Sequence, residues 1–553
     1  MVHKYLPLNP IDLPDRQWPS NIITKSPIWC SVDLRDGNQA LPNPMNPAQK
    51  LEYFQLLCKI GFKQIEVGFP SASKDDFDFV RRLIEEHHIP EDVTIMVLTQ
   101  CRANLIDETM KSLIGVRKAC VHSYIATSEL HMKHVFKISP EETIFRAVAA
   151  TCQIRQLAEQ MPESDIRHEF SPEEFTDTDV VFALKICTAV FEEWGQATIE
   201  KPMILNLPAT VERRPPNQVA DMFEYFIRNF PYRDQVLIST HAHNDQGMAV
   251  ASTEMALLAG ADRVEGTLFG HGERTGNTDI STVALNLFSR GINIGLDFFD
   301  LSKIVETVQR LTGMTVPSRQ PYSGELVFTA FSGSHQDAIK KVINNGRQSW
   351  VVPYLILDPN DIGRKYEEII RITSQSGKGG MAWIMENNFG IKLPSSFQPV
   401  FRKVMQNKID STGGEVSAEQ LMKWFKEEFI NINSHSIYYL IGYWPNPDQE
   451  DPAVIHGRIK IIISQFDYEH EADGNGPVDA FVKALNGLGV NNFEVMEFYD
   501  DAITGTGGSD ASAMAFVLLK FDSRSIWGVG QGSNIDQAAA QAIISALNRK
   551  SQL

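Results

Sequence analysis

IWCSVD at residues 28–33, PAQKLEYFQLLCKI at 47–60 and QIEVG at 64–68 are the stretch on which the fold turns. The outer runs are short and apolar, and the middle one spaces its apolar residues at a helical period, which reads as strand, helix, strand. Outward from it the same rhythm continues. Candidate strands fall at 93–98, 119–125, 166–170, 203–207, 236–241 and 263–268, with helical patterns between them such as 75–88, 141–161, 177–194, 217–229 and 247–259. Eight strand–helix steps in roughly 260 residues are the arithmetic of an α/β chain closed into a (β/α)8 barrel. A doubly wound open sheet is the rival, but it usually carries a glycine-rich phosphate turn after its first strand, and SVDLRDGNQA (31–40) is not one.

Past residue 320 the rhythm breaks. Residues 335–345 and 359–372 read as short helices, QSGKGGMAWIM (375–385) as a turn and strand, and 395–430 as helical. YWPNPDQEDP (443–452), rich in proline and acid, reads as a linker. Beyond it lies a small α/β unit with strands at 456–463, 493–498, 513–520 and 525–529. Pro477 opens one helix, and Ser533-Asn534 caps another that runs to about 548. Strands then helix, twice over, predict an internal repeat. The division is therefore 1–320 for the barrel with its N-terminal extension, 321–445 for linking subdomains and 446–553 for the C-terminal domain.

Composition narrows the function. With 51 Lys+Arg against 69 Asp+Glu the formal charge is −18, and no run of five basic residues offsets it, so nucleic acid is not an expected partner. No apolar run approaches the roughly 18 residues that span a bilayer. The N-terminus has no apolar signal core and carries Asp12 and Asp15. Cysteines 30, 58, 101, 120, 152 and 187 form no C-x-x-C pair and read as reduced thiols, so a cytoplasmic setting is expected.

The chemistry gathers at strand ends. His241 and His243 flank Ala242 at the end of the seventh strand, and residues i and i+2 of a strand share a face, so both imidazoles can aim at one point. Two imidazoles with a carboxylate suit Zn²⁺, Mn²⁺ or a similar divalent ion. Asp36 lies just past the first strand, and in a closed barrel strands one and seven open onto the same rim. Asn277, after the eighth strand, offers an amide oxygen there. Arg35, Glu169, Glu173 and Thr210 complete a polar rim. The plainer reading of each is a strand end, a solvated turn or a helix cap. GVGQGS (528–533) and TGTGGS (504–509) lack the lysine of a phosphate loop and read as tight turns, and SQSGKGG (374–380) as a flexible basic loop.

LRDGNQAL (34–41), IEVGFPSAS (65–73), FSPEEF (170–175), LPATVE (207–212), HAHNDQG (241–247), GHGERTGNTD (270–279), SGSHQDAI (332–339) and VPYLILDP (352–359) together resemble the 2-isopropylmalate synthases in their longer form. The resemblance implies condensation of acetyl-CoA with 2-oxoisovalerate and water to give 2-isopropylmalate and CoA. It implies a divalent ion (Mg²⁺, Mn²⁺ or Zn²⁺) on Asp36, His241 and His243 with Asn277 nearby, and leaves open a monovalent activator such as K⁺. By the same resemblance Arg35 stabilises the oxyanion, Thr210 holds the substrate carboxylate beside Arg35 and His241, and Glu173 lines the acetyl-CoA side. His335, with Tyr354, is the base. That base reaches over a partner subunit's site, which implies a homodimer. The C-terminal domain resembles a leucine-binding regulatory domain, with Gly476, Tyr499, Ala502, Asp510, Ala511 and Ala513 in the matching segments. Sister synthases acting on pyruvate or 2-oxoglutarate, a metal-dependent carbon–carbon lyase, and a leucine-responsive protein with an inactive barrel are the alternatives.

Overall fold

The structure is a computed structural model that describes the chain apart from residues 1–7, 9, 329–332, 344–348, 366–377, 413–415, 431–435, 452, 503–511, 523 and 553. It divides into two units, Met1–Phe328 with Leu357–Lys365, and Thr329–Ile356 with Tyr366–Leu553.

The first unit holds the barrel. Its strands are β1 (Ile28–Ser31), β2 (Gln64–Gly68), β3 (Thr94–Gln100), β4 (Lys118–Ala126), β5 (Asp165–Glu173), β6 (Met203–Ala209), β7 (Val236–Ala242) and β8 (Arg263–Gly266). Each pairs in parallel with the next, and Ile28–Ser31 paired to Arg263–Gly266 closes the ring. The intervening helices are set by local chemistry. Asn46 and Gln49 form a capping box at the start of Pro47–Ile60. That helix ends at Gly61, whose φ of +112° and 2.9 Å approach of a would-be Cβ to the Gly295 carbonyl admit no side chain. Helix Lys74–Glu85 buries Phe79, Val80, Leu83 and Ile84 as one stripe against the sheet.

One rim residue is misplaced by the sequence reading. β5 runs on to Glu173, so Glu169 lies within the strand, fully buried, its carboxylate 3.3 Å from the Arg263 guanidinium. The barrel interior beneath the rim is ionic. Arg263 reaches Glu265, Glu169, Ser239 and Gln64, all of them buried apart from the half-buried Gln64.

In the second unit, helices Lys378–Phe389, Gln398–Thr412 and Ala418–Phe425 pack Met381, Ile384, Met385, Phe397, Phe401, Phe425 and Phe429 into one core. The strand expected within 375–385 is thus helix from Lys378 onward. Met381, Ile384 and Met385 fall at i, i+3 and i+4, a helical stripe that outweighs the glycines before them. The linker expected at 443–452 is also corrected. β9 (Tyr438–Pro447) pairs antiparallel with β10 (Ile455–Ile463), leaving only the residues after Pro447 as a turn. β9 is an edge strand, where proline deprives the ladder of nothing.

The expected repeat is present, with a fuller unit than the sequence reading drew. β9, β10 and β11 (Phe466–Gly474) precede helix Pro477–Gly487, and β12 (Glu494–Ala502), β13 (Ala513–Phe521) and β14 (Arg524–Gly532) precede helix Ile535–Gln552. Gly528 and Gly530, read as a tight turn, lie within β14. A Cβ on either would sit 2.2 Å from the Ala542 carbonyl or 2.1 Å from that of Ala538, so the glycines let the last helix lie on strand backbone. The turn at 504–509 and the loop at 374–377 lie outside the described residues. Among the described residues no helix is long and apolar enough to cross a membrane, and all six cysteines are free.

Candidate active site

After β1 the chain makes one wide helical turn, Asp33–Gly37, which buries Asp36 at the mouth of the barrel. β7 delivers His241 and His243 to the same point. Asp36 Oδ2 lies 3.2 Å from His241 Nε2 and 3.5 Å from His243 Nε2, and one donor atom from each of the three lies within 4.8 Å of the others. Among the described residues this is the one group of three His, Cys, Asp or Glu side chains so disposed. Asn277 places Oδ1 2.8 Å from His241 Nε2, while its Nδ2 donates to the His271 carbonyl and so fixes which end faces the cluster. The turn bearing Asn277 depends on Gly276, at φ +94°, where a Cβ would strike the Gly270 carbonyl.

These residues fit a divalent cation. His241 Nδ1 lies 2.8 Å from Glu265, a carboxylate that takes its proton in hydrogen bonding and leaves Nε2 as a lone pair. That lone pair then faces two further oxygen acceptors, Asp36 Oδ2 and Asn277 Oδ1, an arrangement that a shared cation satisfies. Without an ion a proton substitutes. Burial works against charge on His241, but the hydrogen bonds to Asp36 and Glu265 outweigh it and raise its pKa to about 9. Burial and the neighbouring His241 push His243 down to about 4. Burial would raise Asp36, yet Arg35 and the imidazoles hold its carboxyl well below the ordinary range.

Above the cluster is a cavity of about 280 Å³ lined by Arg35, Asp36, Glu173, Thr210, His241 and His243, so the structure brings six of the expected residues together. Asn277 stands behind them through His241. Arg35 Nε bonds Glu66 Oε2 at 2.5 Å and its Nη1 lies 3.6 Å from Asp36, which leaves the guanidinium partly turned to the cavity. Burial and the adjacent Glu174 charge raise the Glu173 carboxyl above its ordinary range.

The wall also contains residues that the sequence reading missed. His122 bridges Glu66 (2.7 Å) and Ser171 (2.7 Å), and Asn206 donates to Ser171 at 3.0 Å. Phe69, Leu98, Tyr124 and Pro208 give the cavity an apolar side. A signal was present: Glu66, His122 and Asn206 are polar residues inside apolar strand runs, the mark of an inward-facing position.

His335 and Tyr354 lie in the second unit, where their rings stack at 3.8 Å between centroids. Gly476 precedes helix Pro477–Gly487, and Ala502 pairs with Ala513 between β12 and β13. Tyr499, also on β12, stacks on Trp527 at 6.4 Å. Asp510 and Ala511 lie outside the described residues.

Residues 26–308 match the HMGL-like family, so the barrel is of that class. Residues 325–386 match the alpha-isopropylmalate synthase post-catalytic domain-like family, and 415–551 the LeuA allosteric (dimerisation) domain. The 2-isopropylmalate synthase of Clostridium acetobutylicum is 47% identical over 99% of each chain. That of Thermobifida fusca is 45% identical over 100% of this chain and 98% of its own. Among solved structures, a hydroxymethylglutaryl-CoA lyase from Pseudomonas aeruginosa matches 54% of this chain and 97% of its own, at 20% identity and a TM-score of 0.45. The chain belongs to the 2-isopropylmalate synthase family.

Proposed function

We propose that the enzyme condenses acetyl-CoA with 2-oxoisovalerate and water to give 2-isopropylmalate and CoA, the committed step of leucine synthesis, under feedback inhibition by leucine. The observation that carries this reading is the convergence of Asp36, His241, His243 and Asn277 beneath Arg35 in one half-apolar cavity. Asp36, His241 and His243, with Asn277, would hold a divalent ion such as Mg²⁺, Mn²⁺ or Zn²⁺, which when bound supplies a Lewis acid for the keto oxygen.

The chain's own residues do the rest. Arg35, braced by Glu66, neutralises the negative charge that grows on the keto oxygen as the new bond forms. Thr210 donates its hydroxyl to the oxo-acid carboxylate. The Leu98, Phe69 and Pro208 side receives the branched alkyl group. That apolar lining disfavours the second carboxylate of 2-oxoglutarate strongly. It disfavours pyruvate by only about 1–3 kcal/mol per missing methylene.

His335, supported by Tyr354, removes a proton from the acetyl methyl. The carbanion adds to C2 of the oxo acid, and Glu173 serves the proton transfers on the acetyl-CoA side. Water then cleaves the thioester and releases CoA as its thiol. The match to an allosteric (dimerisation) domain supports a homodimer whose partner supplies the base, and supports leucine binding near Gly476, Tyr499, Ala502, Asp510, Ala511 and Ala513. The six free cysteines support a reducing, cytoplasmic setting. The division at 320 and 445 into barrel, linking subdomains and regulatory domain accompanies this reading, and K⁺ is its candidate monovalent activator.

The test is thiol release from acetyl-CoA with 2-oxoisovalerate, pyruvate or 2-oxoglutarate, each with and without leucine and with a chelator. Release with 2-oxoisovalerate alone, suppressed by leucine and by the chelator, is expected. Release with a different oxo acid would move the enzyme to a sister reaction.

A further inference from the structure

We propose that Arg274 is a positioning residue, holding Thr210 so that the threonine hydroxyl presents its proton to the oxo-acid carboxylate. This rests on the reading of Thr210 given above, and goes beyond it by naming what sets that hydroxyl.

Thr210 is the first residue past the end of β6. The last ladder bond on this side is His243 N–H to the Ala209 carbonyl, so the Thr210 carbonyl has no strand partner. Arg274, from the loop after β8, supplies one. Its Nη2 donates to the Thr210 carbonyl at 2.6 Å, while Nε and Nη2 grip both oxygens of Asp245 at 2.7 and 3.1 Å. Asp245 belongs to the loop after β7, and its Oδ2 also accepts the Glu212 N–H at 3.0 Å. Glu212 answers by accepting the Gln246 N–H at 2.5 Å and the Met248 N–H at 3.2 Å. One guanidinium therefore ties three rim loops into a single frame, with Thr210 at its inner edge. A planar fork with fixed donors can do this where an ammonium cannot.

The other side of Thr210 is held as well. The Glu174 N–H, in the loop after β5, donates to Thr210 Oγ1 at 2.9 Å. A hydroxyl that is already accepting has its own proton left to give, and the cavity is what it faces. Glu174 and Arg274 both sit in the left-handed region, at φ +61° and +53°, a conformation kept only where the surroundings enforce it. Two strained backbones thus converge on one threonine.

The experiment compares Thr210→Ala, Arg274→Gln, Arg274→Lys, Asp245→Asn and the Thr210→Ala/Arg274→Gln double variant. It measures KM for oxo acid and for acetyl-CoA separately, kcat, and Mn²⁺ affinity by calorimetry. Arg274→Gln should raise the oxo-acid KM by about ten- to a hundredfold, the value of a hydrogen bond to a charged group. The acetyl-CoA KM and Mn²⁺ affinity should stay within about twofold, which also shows that the variant has folded. Arg274→Lys should not rescue, and Asp245→Asn should shift the same KM. In the Thr210→Ala background, Arg274→Gln should cost little more, because the two act as one unit. An equal cost in both backgrounds would mean that Arg274 touches the substrate itself, and would overturn the positioning role. A normal oxo-acid KM in Thr210→Ala alone would instead remove the reading of Thr210 on which the proposal stands.

Discussion

The imidazole of His335 lies flat against the ring of Tyr354, with 3.8 Å between centroids and 19° between planes. The tyrosine is 64% exposed and holds a left-handed backbone at φ +65°, so the pair is kept together in spite of solvent and strain. If His335 is the base, His335→Ala should lower kcat by about 10²–10⁴ with a modest change in oxo-acid KM. Tyr354→Leu should cost more than Tyr354→Phe, since only the latter keeps the stack. Steady-state kinetics on the three variants decides this, and a near-normal kcat in His335→Ala would remove the assignment.

Asp36 is the sole carboxylate of the His/Asp cluster. Asp36→Asn removes its negative charge while keeping its shape, and should weaken Mn²⁺ binding by more than about 100-fold and abolish turnover. Calorimetric titration of the ion-free protein measures the first directly. Retained affinity would place the ion elsewhere.

Glu173 is raised by burial and by the charge of Glu174. If it must be ionised to serve proton transfer, turnover falls on the acid side at a pH above that of an ordinary glutamate. Glu173→Gln should lower kcat by about 100-fold and lose that acid limb. A pH–rate profile of both proteins is the check.

His456 joins β10 to its neighbours, with Nε2 2.7 Å from Asp448 and Nδ1 2.6 Å from Asp473. The two carboxylates raise it above its ordinary 6.5. A raised folded value means that the stabilisation is complete below the unfolded pKa and is lost as pH rises through the folded one. The stability difference between wild type and His456→Gln should therefore be larger near pH 5.5 than near pH 9, and should shrink in salt, as an exposed pair requires. Urea unfolding at both pH values tests it.

Gly530→Ala should destabilise the second unit by about 1–3 kcal/mol or more, because its Cβ would press on the Ala538 carbonyl and the Ala542 nitrogen. Thermal unfolding should show the effect, and Mn²⁺ affinity in the barrel should be untouched.

The barrel was legible because eight strands alternate with amphipathic helices and no glycine-rich phosphate turn follows the first of them, as it would in a doubly wound sheet. His241, His243 and Asp36 were legible because strand parity and barrel closure bring them together. β9 was hidden by Pro445 and Pro447, which an edge strand tolerates, and β11 by the acids that crowd its FDYEHEADG sequence. Glu66, His122, Glu265 and Arg263 were passed over because charge in a strand ordinarily means surface, whereas here it points into a closed ring. The same expectation places Glu169 on the rim. His335 and Tyr354 came from resemblance alone, since no spacing rule reaches from the barrel into the second unit.

The ionic interior around Arg263 has an evolutionary consequence. Substituting Arg263 or Glu265 alone strands the other's buried charge, at about 3–5 kcal/mol, so these two can change only together. The walls contributed by Leu98, Phe69 and Pro208 carry no such debt and can drift one residue at a time. New oxo-acid preferences should therefore arise by successive changes in the apolar wall over an unchanging floor.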